Sequence, residues 1–425
     1  MIRNLVGPSP RSKLYTRSQM YSSIIKGLFS RVDRTNSQLD NFTKSIGQFF
    51  EVDSKSVVPC SRARVGIYLV LKYFIKNDKK EVILSPHTIS DVINMVICAG
   101  GIPVFCDTEP NTCNIDVTKI EELINSNTAA VMITHFYGLA SNIKKAKVIC
   151  NRNNLPLIED AAQAFGVKVD GQYVGTFGTA GIFSFGLYKN ITSFMGGAII
   201  IKDKNLLESV QLDVNTFKPY SFIDVLPKIV KGAITDLITS PLLFKLFFYK
   251  IFRWATLNKI EFINNKFKID VNPISYGTLP KHYKRQIRQI QARLIVKQLS
   301  NVELNQKIRI ANAYKYYEGL KHLSNCFILT PFIDNGSHGY QYYILQVPDR
   351  DRLEAYMLNQ GCDIMISYHR NCADLNCFHE FFRNCPNARE TANSVIYLPT
   401  YPDYLEKDIY RNINSIKNFF KSCDA

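Results

Sequence analysis

The sequence predicts an α/β fold, with a large domain built on a mostly parallel sheet followed by a smaller α+β C-terminal domain. Three observations carry that prediction. From residue 81 onward, short apolar runs rich in Val, Ile and Phe alternate with amphipathic helical stretches at intervals suited to βαβ units. Beyond residue 340 the pattern becomes a mixed α/β tail with its own turn residues, Gly361 and Leu398-Pro399-Thr400-Tyr401-Pro402. The length of 425 residues allows two or three domains at roughly 100 to 200 residues each.

The strand candidates are 81–84, 103–106, 129–134, 156–158, 181–184 and 197–201, continuous apolar runs of the kind parallel strands need when both faces are covered. Between them, 61–74 reads as a helix that lines up Ala63, Ile67, Val70, Leu71 and Phe74, with Ser61 as its N-cap. A second helix through Ile143, Ala146 and Cys150 leads into the strand that ends in Glu159-Asp160. A long helical pattern follows through Ile287, Ile290, Leu294 and Val296, and a closing helix through Ile409, Ile413, Ile416 and Phe419. The large domain is placed at 1–285 and the small one at 286–425, including the connecting helix. The large domain carries an apolar and basic helical insertion at about 205–275. Within it, 241–257 is apolar most of the way round a helical wheel, with Lys245, Lys250 and Arg253 inside about 140° of arc. Such a helix is expected to be buried in the protein or in a dimer, or to lie in a membrane interface through 221–258, where cations meet anionic headgroups.

Composition narrows the function classes. Apolar residues at 46% and charged residues at 21% exclude a disordered, collagen-like or coiled-coil chain. A net charge of +16 suggests an anionic partner: nucleic acid, a membrane surface or a phosphorylated small molecule. Nucleic acid is disfavoured, because no recognition motif or basic stripe interleaved with aromatics is present. Eleven cysteines with no CxxC pair read as a reduced, cytoplasmic chain without a disulfide frame or a metal site. The N-terminus lacks the apolar core of a signal peptide, and no stretch reaches the roughly 18 apolar residues of a membrane span.

The chemistry concentrates in Leu157-Ile158-Glu159-Asp160-Ala161-Ala162-Gln163-Ala164 and in Gly181-Ile182-Phe183-Ser184-Phe185-Gly186-Leu187-Tyr188-Lys189-Asn190. Asp160 sits where a buried parallel strand ends, and ligands of open α/β sheets lie outside those ends. Lys189 follows another apolar strand, before Gly196-Gly197. A partly desolvated lysine can lose its proton and bond to a carbonyl. An acid facing a pyridine nitrogen and a lysine for an aldehyde are what pyridoxal 5'-phosphate most needs. Taken alone, Asp160 could instead cap a helix at Ala161-Ala162, and His135 could be a hydrogen-bonded core histidine or lie beside a cofactor.

These segments resemble the DegT/DnrJ/StrS family of pyridoxal-phosphate-dependent nucleotide-sugar aminotransferases. The resemblance extends over 35–205 and 285–420 and includes Glu81-Val82-Ile83-Leu84-Ser85-Pro86, Thr134-His135-Phe136-Tyr137-Gly138, Val174-Gly175-Thr176-Phe177-Gly178 and Leu398-Pro399-Thr400-Tyr401-Pro402. It implies an aspartate-aminotransferase-like fold (fold type I) and a homodimer with active sites at the subunit interface. It further implies a ping-pong reaction between an amino acid such as glutamate and a nucleotide-linked keto-sugar, serving polysaccharide or glycoconjugate synthesis. Carried over residue by residue, Lys189 bonds the cofactor aldehyde and moves the proton, Asp160 binds the pyridine nitrogen, and Gln163 lies near the phenolic oxygen. Ser184, the amides of Arg62 and Ala63, and the guanidinium of Arg62 or Arg64 take the phosphate. The position that stacks on the ring corresponds to Ile89, with His87 two residues earlier, and His369 falls near the sugar site. This chain departs from the family in having Arg62-Ala63 where Gly-Thr is usual and Tyr188 before the lysine. The asparagine expected from the dimer partner is also not recognisable near 284–290. Those departures leave an alternative, a cofactor-binding regulatory or non-catalytic homologue. Retention of Lys189 favours transamination, since the family's dehydratase branch has histidine there.

Overall fold

The computed structural model describes residues 7–16, 18–29, 37–265 and 270–421; Cys423, residues 1–6 of the leader reading and 266–269 of the expected insertion lie outside the described residues. A seven-stranded sheet forms the centre: β1 Val57–Cys60, β2 Glu81–Leu84, β3 Ile102–Phe105, β4 Thr128–Thr134, β5 Leu157–Asp160, β6 Ala180–Ser184 and β7 Gly197–Ile201. Their order is β1-β7-β6-β5-β4-β2-β3. Strands β2 to β6 run parallel, while β7 is antiparallel to both β6 and β1. Strand β1 was not foreseen. Its Val57-Val58-Pro59-Cys60 contains a proline, which cannot donate to a ladder, and it is accommodated because β1 is a sheet edge.

The principal helices are α1 Ser18–Phe29, α2 Ser37–Phe50, α3 Ala63–Phe74, α4 Ser90–Cys98, α5 Ile143–Arg152, α6 Lys204–Asn215, α7 Phe222–Ile238, α8 Tyr249–Leu257, α9 Gln289–Val296, α10 Val302–Leu320, α11 Arg350–Asn359, α12 Pro386–Ser394 and α13 Glu406–Lys421. Side chains along the strands alternate between faces. Val82, Leu84, Met132, Ile158, Ile182, Ile199 and Ile201 pack with α3 and α4. Ile83, Val131, Ile133 and Leu157 pack with α5, and Phe183, Ala198 and Ile200 with α2 and α9. Both faces are therefore dry, and each fully buried Val, Ile, Leu or Phe contributes about 1.5–3 kcal/mol.

The smaller sheet consists of β8 Ile328–Leu329, β9 Tyr343–Gln346, β10 Met365–Ile366 and β11 Val395–Leu398, antiparallel in the order β8-β9-β11-β10. Leu345, Leu353, Met357, Ile396, Ile409, Ile413 and Ile416 fill its core. Packing crosses the boundary read near residue 285 in both directions. Ala292 and Ile295 of α9 join the core around α2, and Cys372, Phe378 and Ala388 join the core under α3. The N-terminal segment lies on the small sheet's helices: the Ser9 amide donates to Asp408 at 2.9 Å, Arg11 to Asp363 at 2.7–2.8 Å, and the Tyr401 hydroxyl to the Pro10 carbonyl at 2.8 Å.

Two expectations need correction. Helix α3 begins at Ala63 with Arg62 at the N-cap position and no side-chain cap, because the Ser61 hydroxyl donates instead to the Tyr283 carbonyl at 3.2 Å. In the insertion, the expected cationic face of Lys245, Lys250 and Arg253 does not form. A π-helical turn, Phe244–Phe248, shifts the helical phase. Lys245 becomes buried beside Gly7, and Arg253 donates to Asn359 at 2.7 Å, leaving Lys250 exposed. The described cysteines are all free. Among the described residues, no group of side chains could hold a metal ion and no helix is long and apolar enough to cross a membrane.

Candidate active site

Strands β1, β2, β4, β5 and β6 all end on the same side of the sheet, so the residues that follow them converge there. Asp160, the last residue of β5, is 6% exposed, and its Oδ1 accepts the Ala162 amide at 3.0 Å. A turn, not a helix, follows it, which removes the helix-cap reading. Burial raises its pKa, opposed by the Ala162 N–H and by the charge of Lys189. Lys189 sits in the turn after β6, its amide donating to the Gly186 carbonyl at 3.1 Å. Burial lowers its pKa from 10.5 to about 8, with Asp160 pulling it up and Arg64 pushing it further down. The two groups sense each other's charge, yet among the described residues no direct ion pair joins them.

Register places the second half of the site. Ser184 pairs with Gly197 and Gly197 with Cys60, so two strand spacings, about 10 Å, separate Ser184 from the residue leading into α3. A Cβ at Gly197 would meet the Ala63 nitrogen at 2.8 Å; glycine lets β7 pass directly against the helix start. That start has no side-chain cap, and uncapped leading amides form an anion site. The Ser184 hydroxyl accepts the Gly186 amide at a long 3.4 Å. Arg62 donates to the Tyr220 hydroxyl at 3.1 Å and lies 4.7 Å over the Tyr283 ring. Arg64 is more committed, ion-paired with Asp91 and donating to the Tyr283 hydroxyl at 3.2 Å.

The remaining sequence candidates fall into buried networks. Gln163 Oε1 accepts the Tyr137 amide at 3.0 Å, bracing a turn in which Tyr137 takes φ +56° and Gly138 φ +86°. The Tyr137 hydroxyl meets His87 Nε2 at 3.0 Å and His369 Nδ1 at 3.4 Å, and His369 Nδ1 meets the Tyr397 hydroxyl at 2.9 Å. His87 is fully buried with its Nδ1 unpartnered, and burial lowers its pKa to about 3. Burial also holds the His369 pKa well below the ordinary range, and neighbouring His87 and the charge of Lys189 lower it further. Ile89 is the N-cap residue of α4, half-buried against the α3–α4 core. His135 proves to be a satisfied core histidine. Its Nδ1 accepts the Ser141 amide at 3.1 Å, so Nε2 carries the proton and donates to Glu159 at 3.2 Å. Glu159 in turn accepts the amides of Gly175, Phe177 and Gly178, each at 2.7 Å.

Sequence reasoning missed Tyr137, Tyr220, Tyr283 and Tyr397. Tyr137 had a signal, its place in the Thr134–Gly138 segment after a strand end. Tyr220 and Tyr283 had none, since Arg62 and Tyr220 are 158 positions apart.

The profile of the DegT/DnrJ/EryC1/StrS aminotransferase family matches residues 25–218 and 272–417. The chain belongs to that family. It is a pyridoxal-phosphate-dependent transaminase of the aspartate-aminotransferase-like fold. The match omits 219–271, the stretch that holds α7 and α8. A pleiotropic regulatory protein of Geobacillus stearothermophilus is 24% identical over 375 residues, 87% of this chain and 86% of its own. The dTDP-3-amino-3,6-dideoxy-alpha-D-galactopyranose transaminase of Aneurinibacillus thermoaerophilus is 24% identical over 389 residues, 90% of each. In fold, NtdA of Bacillus subtilis, solved with the cofactor PMP bound, gives a TM-score of 0.71 at 20% identity over 95% of this chain and 83% of its own.

The side chains present fit such a cofactor. A lysine with lowered pKa and a buried carboxylate sense each other's charge without an ion pair among the described residues, and an uncapped helix start lies beside a glycine that a side chain would block.

Proposed function

We propose that the protein moves an amino group from an amino acid, glutamate, to a keto-sugar carried by a nucleotide, for polysaccharide or glycoconjugate synthesis, as a cytoplasmic homodimer. The observation that carries this reading is the Lys189–Asp160 pair, two groups on neighbouring strand ends that influence each other's ionisation without an ion pair.

Lys189 would hold the aldehyde of pyridoxal phosphate and Asp160 its pyridine nitrogen. Ser184, Arg62 and the amides at Arg62 and Ala63 would hold the phosphate, Gln163 would lie at the phenolic edge, and His87 or Ile89 would pack on the ring. When bound, the cofactor supplies an electron sink for bonds broken at the amino-bearing carbon. With a pKa of about 8, Lys189 exists partly as free amine near neutral pH, the form that takes a proton at Nζ and returns it. Burial raises the Asp160 pKa, and the Ala162 amide and the nearby lysine cation oppose that rise by favouring the charged form. Glu159 and His135, both 0% exposed, hold the ends of β4 and β5 in register and keep water from behind them. His369, whose ionisation senses Lys189, would lie toward the sugar.

The test is borohydride reduction of the protein with added pyridoxal phosphate, followed by peptide mapping and a visible spectrum. The cofactor mass should lie on the Lys189 peptide, and glutamate should bleach the visible band of the unreduced protein. A wild-type protein without a band, or a Lys189→Ala chain that keeps it, overturns the proposal. A band that glutamate and other amino acids leave unchanged would favour the regulatory reading.

A further inference from the structure

Ten of the 19 large hydrophobic side chains exposed among the described residues lie between Ile223 and Trp254. That crowding belongs to the insertion the family profile omits, on the side of α7 turned away from the residues around Lys189 and Arg62. Helix α7 is anchored by its inner side. Val225 is buried, a Cβ at Gly232 would press within 2.7 Å of the Phe194 ring, and Asp236 accepts the hydroxyls of Thr16 at 2.5 Å and Tyr21 at 2.6 Å. Outward it presents Ile223, Leu226, Val230, Ile234 and Leu237. At ~100° per residue these five fall within about 80° of arc, a continuous apolar stripe.

The next helical run repeats the arrangement. Phe244, Tyr249 and Ala255 face inward, with the Tyr249 hydroxyl on the Leu358 carbonyl at 2.7 Å, while Leu242, Leu246, Phe247, Ile251 and Trp254 face out. The acids of α7 are already engaged, Asp224 by the Ser221 cap and Arg285, and Asp236 by the two hydroxyls. Lys231, Lys250 and Lys259 are exposed and have no carboxylate partner among the described residues, whereas Lys228, on the far side of α7 from the stripe, senses the charges of Arg62 and Arg64. An apolar stripe flanked by uncompensated lysines would be costly to leave in water.

We infer that the outward face of the insertion docks on an anionic lipid surface, Ile223, Leu226, Val230, Ile234 and Leu237 entering the headgroup boundary with Trp254 and Phe247, and the lysines meeting the headgroups. A second copy of this chain is the competing occupant. A twofold contact through the stripe would bring each lysine band near its own image, whereas an anionic bilayer neutralises it. The net charge of +16 and the aromatic residues, of the kind that settle at bilayer interfaces, point the same way.

The experiment is co-sedimentation of the full-length protein with vesicles of phosphatidylcholine alone and of phosphatidylcholine mixed with phosphatidylglycerol. The protein should pellet with the mixed vesicles and stay in solution with the neutral ones. Val230→Asp/Ile234→Asp should weaken partitioning by at least about tenfold. Lys231→Gln/Lys250→Gln, which leaves the apolar stripe and the anchoring face intact, should weaken it and flatten its salt dependence. Melting temperature serves as the folding check for both variants. Wild-type protein that stays in solution with the anionic vesicles overturns the inference. So does a Val230→Asp/Ile234→Asp variant that turns a dimer into a monomer by light scattering while pelleting as the wild type does.

Discussion

Replacing Asp160 by Asn and Arg64 by Gln should move the titration of the Lys189 amine in opposite directions. Burial sets its pKa at about 8, against 10.5 for an ordinary lysine. At pH near 7.4 a pKa of about 8 leaves about one amine in five unprotonated, and 10.5 leaves about one in 1,300, a ratio of about 250. The assay is the initial rate of reductive methylation of Lys189 in the cofactor-free chain across pH, read by mass spectrometry of its peptide. The wild-type rate should half-rise near pH 8. The Asp160 carboxylate favours the charged lysine, so Asp160→Asn lowers the midpoint; the Arg64 cation disfavours it, so Arg64→Gln raises it. A wild-type midpoint above about pH 10, or shifts of the same sign in both variants, would refute the electrostatic account of this site.

Three further outcomes follow from buried geometry. Glu159→Gln places an amide against three backbone donors that a carboxylate now satisfies, and should cost about 3 kcal/mol or more in urea unfolding. Gly175→Ala should cost far more than Gly171→Ala. Both have φ +83°, but a Cβ at 175 meets the Phe183 ring at 2.3 Å while one at 171 has nothing within 4 Å, so only the latter is held to about 1–2 kcal/mol of backbone strain. Arg11→Ala leaves the Asp363 carboxylate, 1% exposed, with only a backbone donor among the described residues, and should cost about 3 kcal/mol and expose the N-terminal segment to limited proteolysis.

Much of the fold was legible locally. Strands buried on both faces, parallel or antiparallel, are runs of apolar residues, so Glu81–Leu84 and Gly197–Ile201 were readable to the residue, and the 3.6-residue period marked α3, α5 and α13. The end of β5 lay two residues beyond the predicted run, because Glu159 and Asp160, polar in sequence, find backbone donors in the fold. Lys189 and Asp160 were legible for a different reason: a charged residue just past an apolar strand has few positions available other than the ligand edge of the sheet.

What sequence alone determined, then, was the class of fold and the placement of Asp160 and Lys189 at strand ends on one side of the sheet, through patterns that repeat over two to eight residues. Only the tertiary structure decided that the hydroxyl of Ser61 turns to Tyr283 and leaves α3 uncapped. It likewise decided that His135 spends both nitrogens on structure, that Lys245 turns inward, and that Tyr137, His87, His369 and Tyr397 form one network. Each of these depends on which atom of a distant segment lies within hydrogen-bond reach, or, for Lys245, on one extra residue in a helical turn. Such distances are set by strand order and register, which local periodicity does not encode.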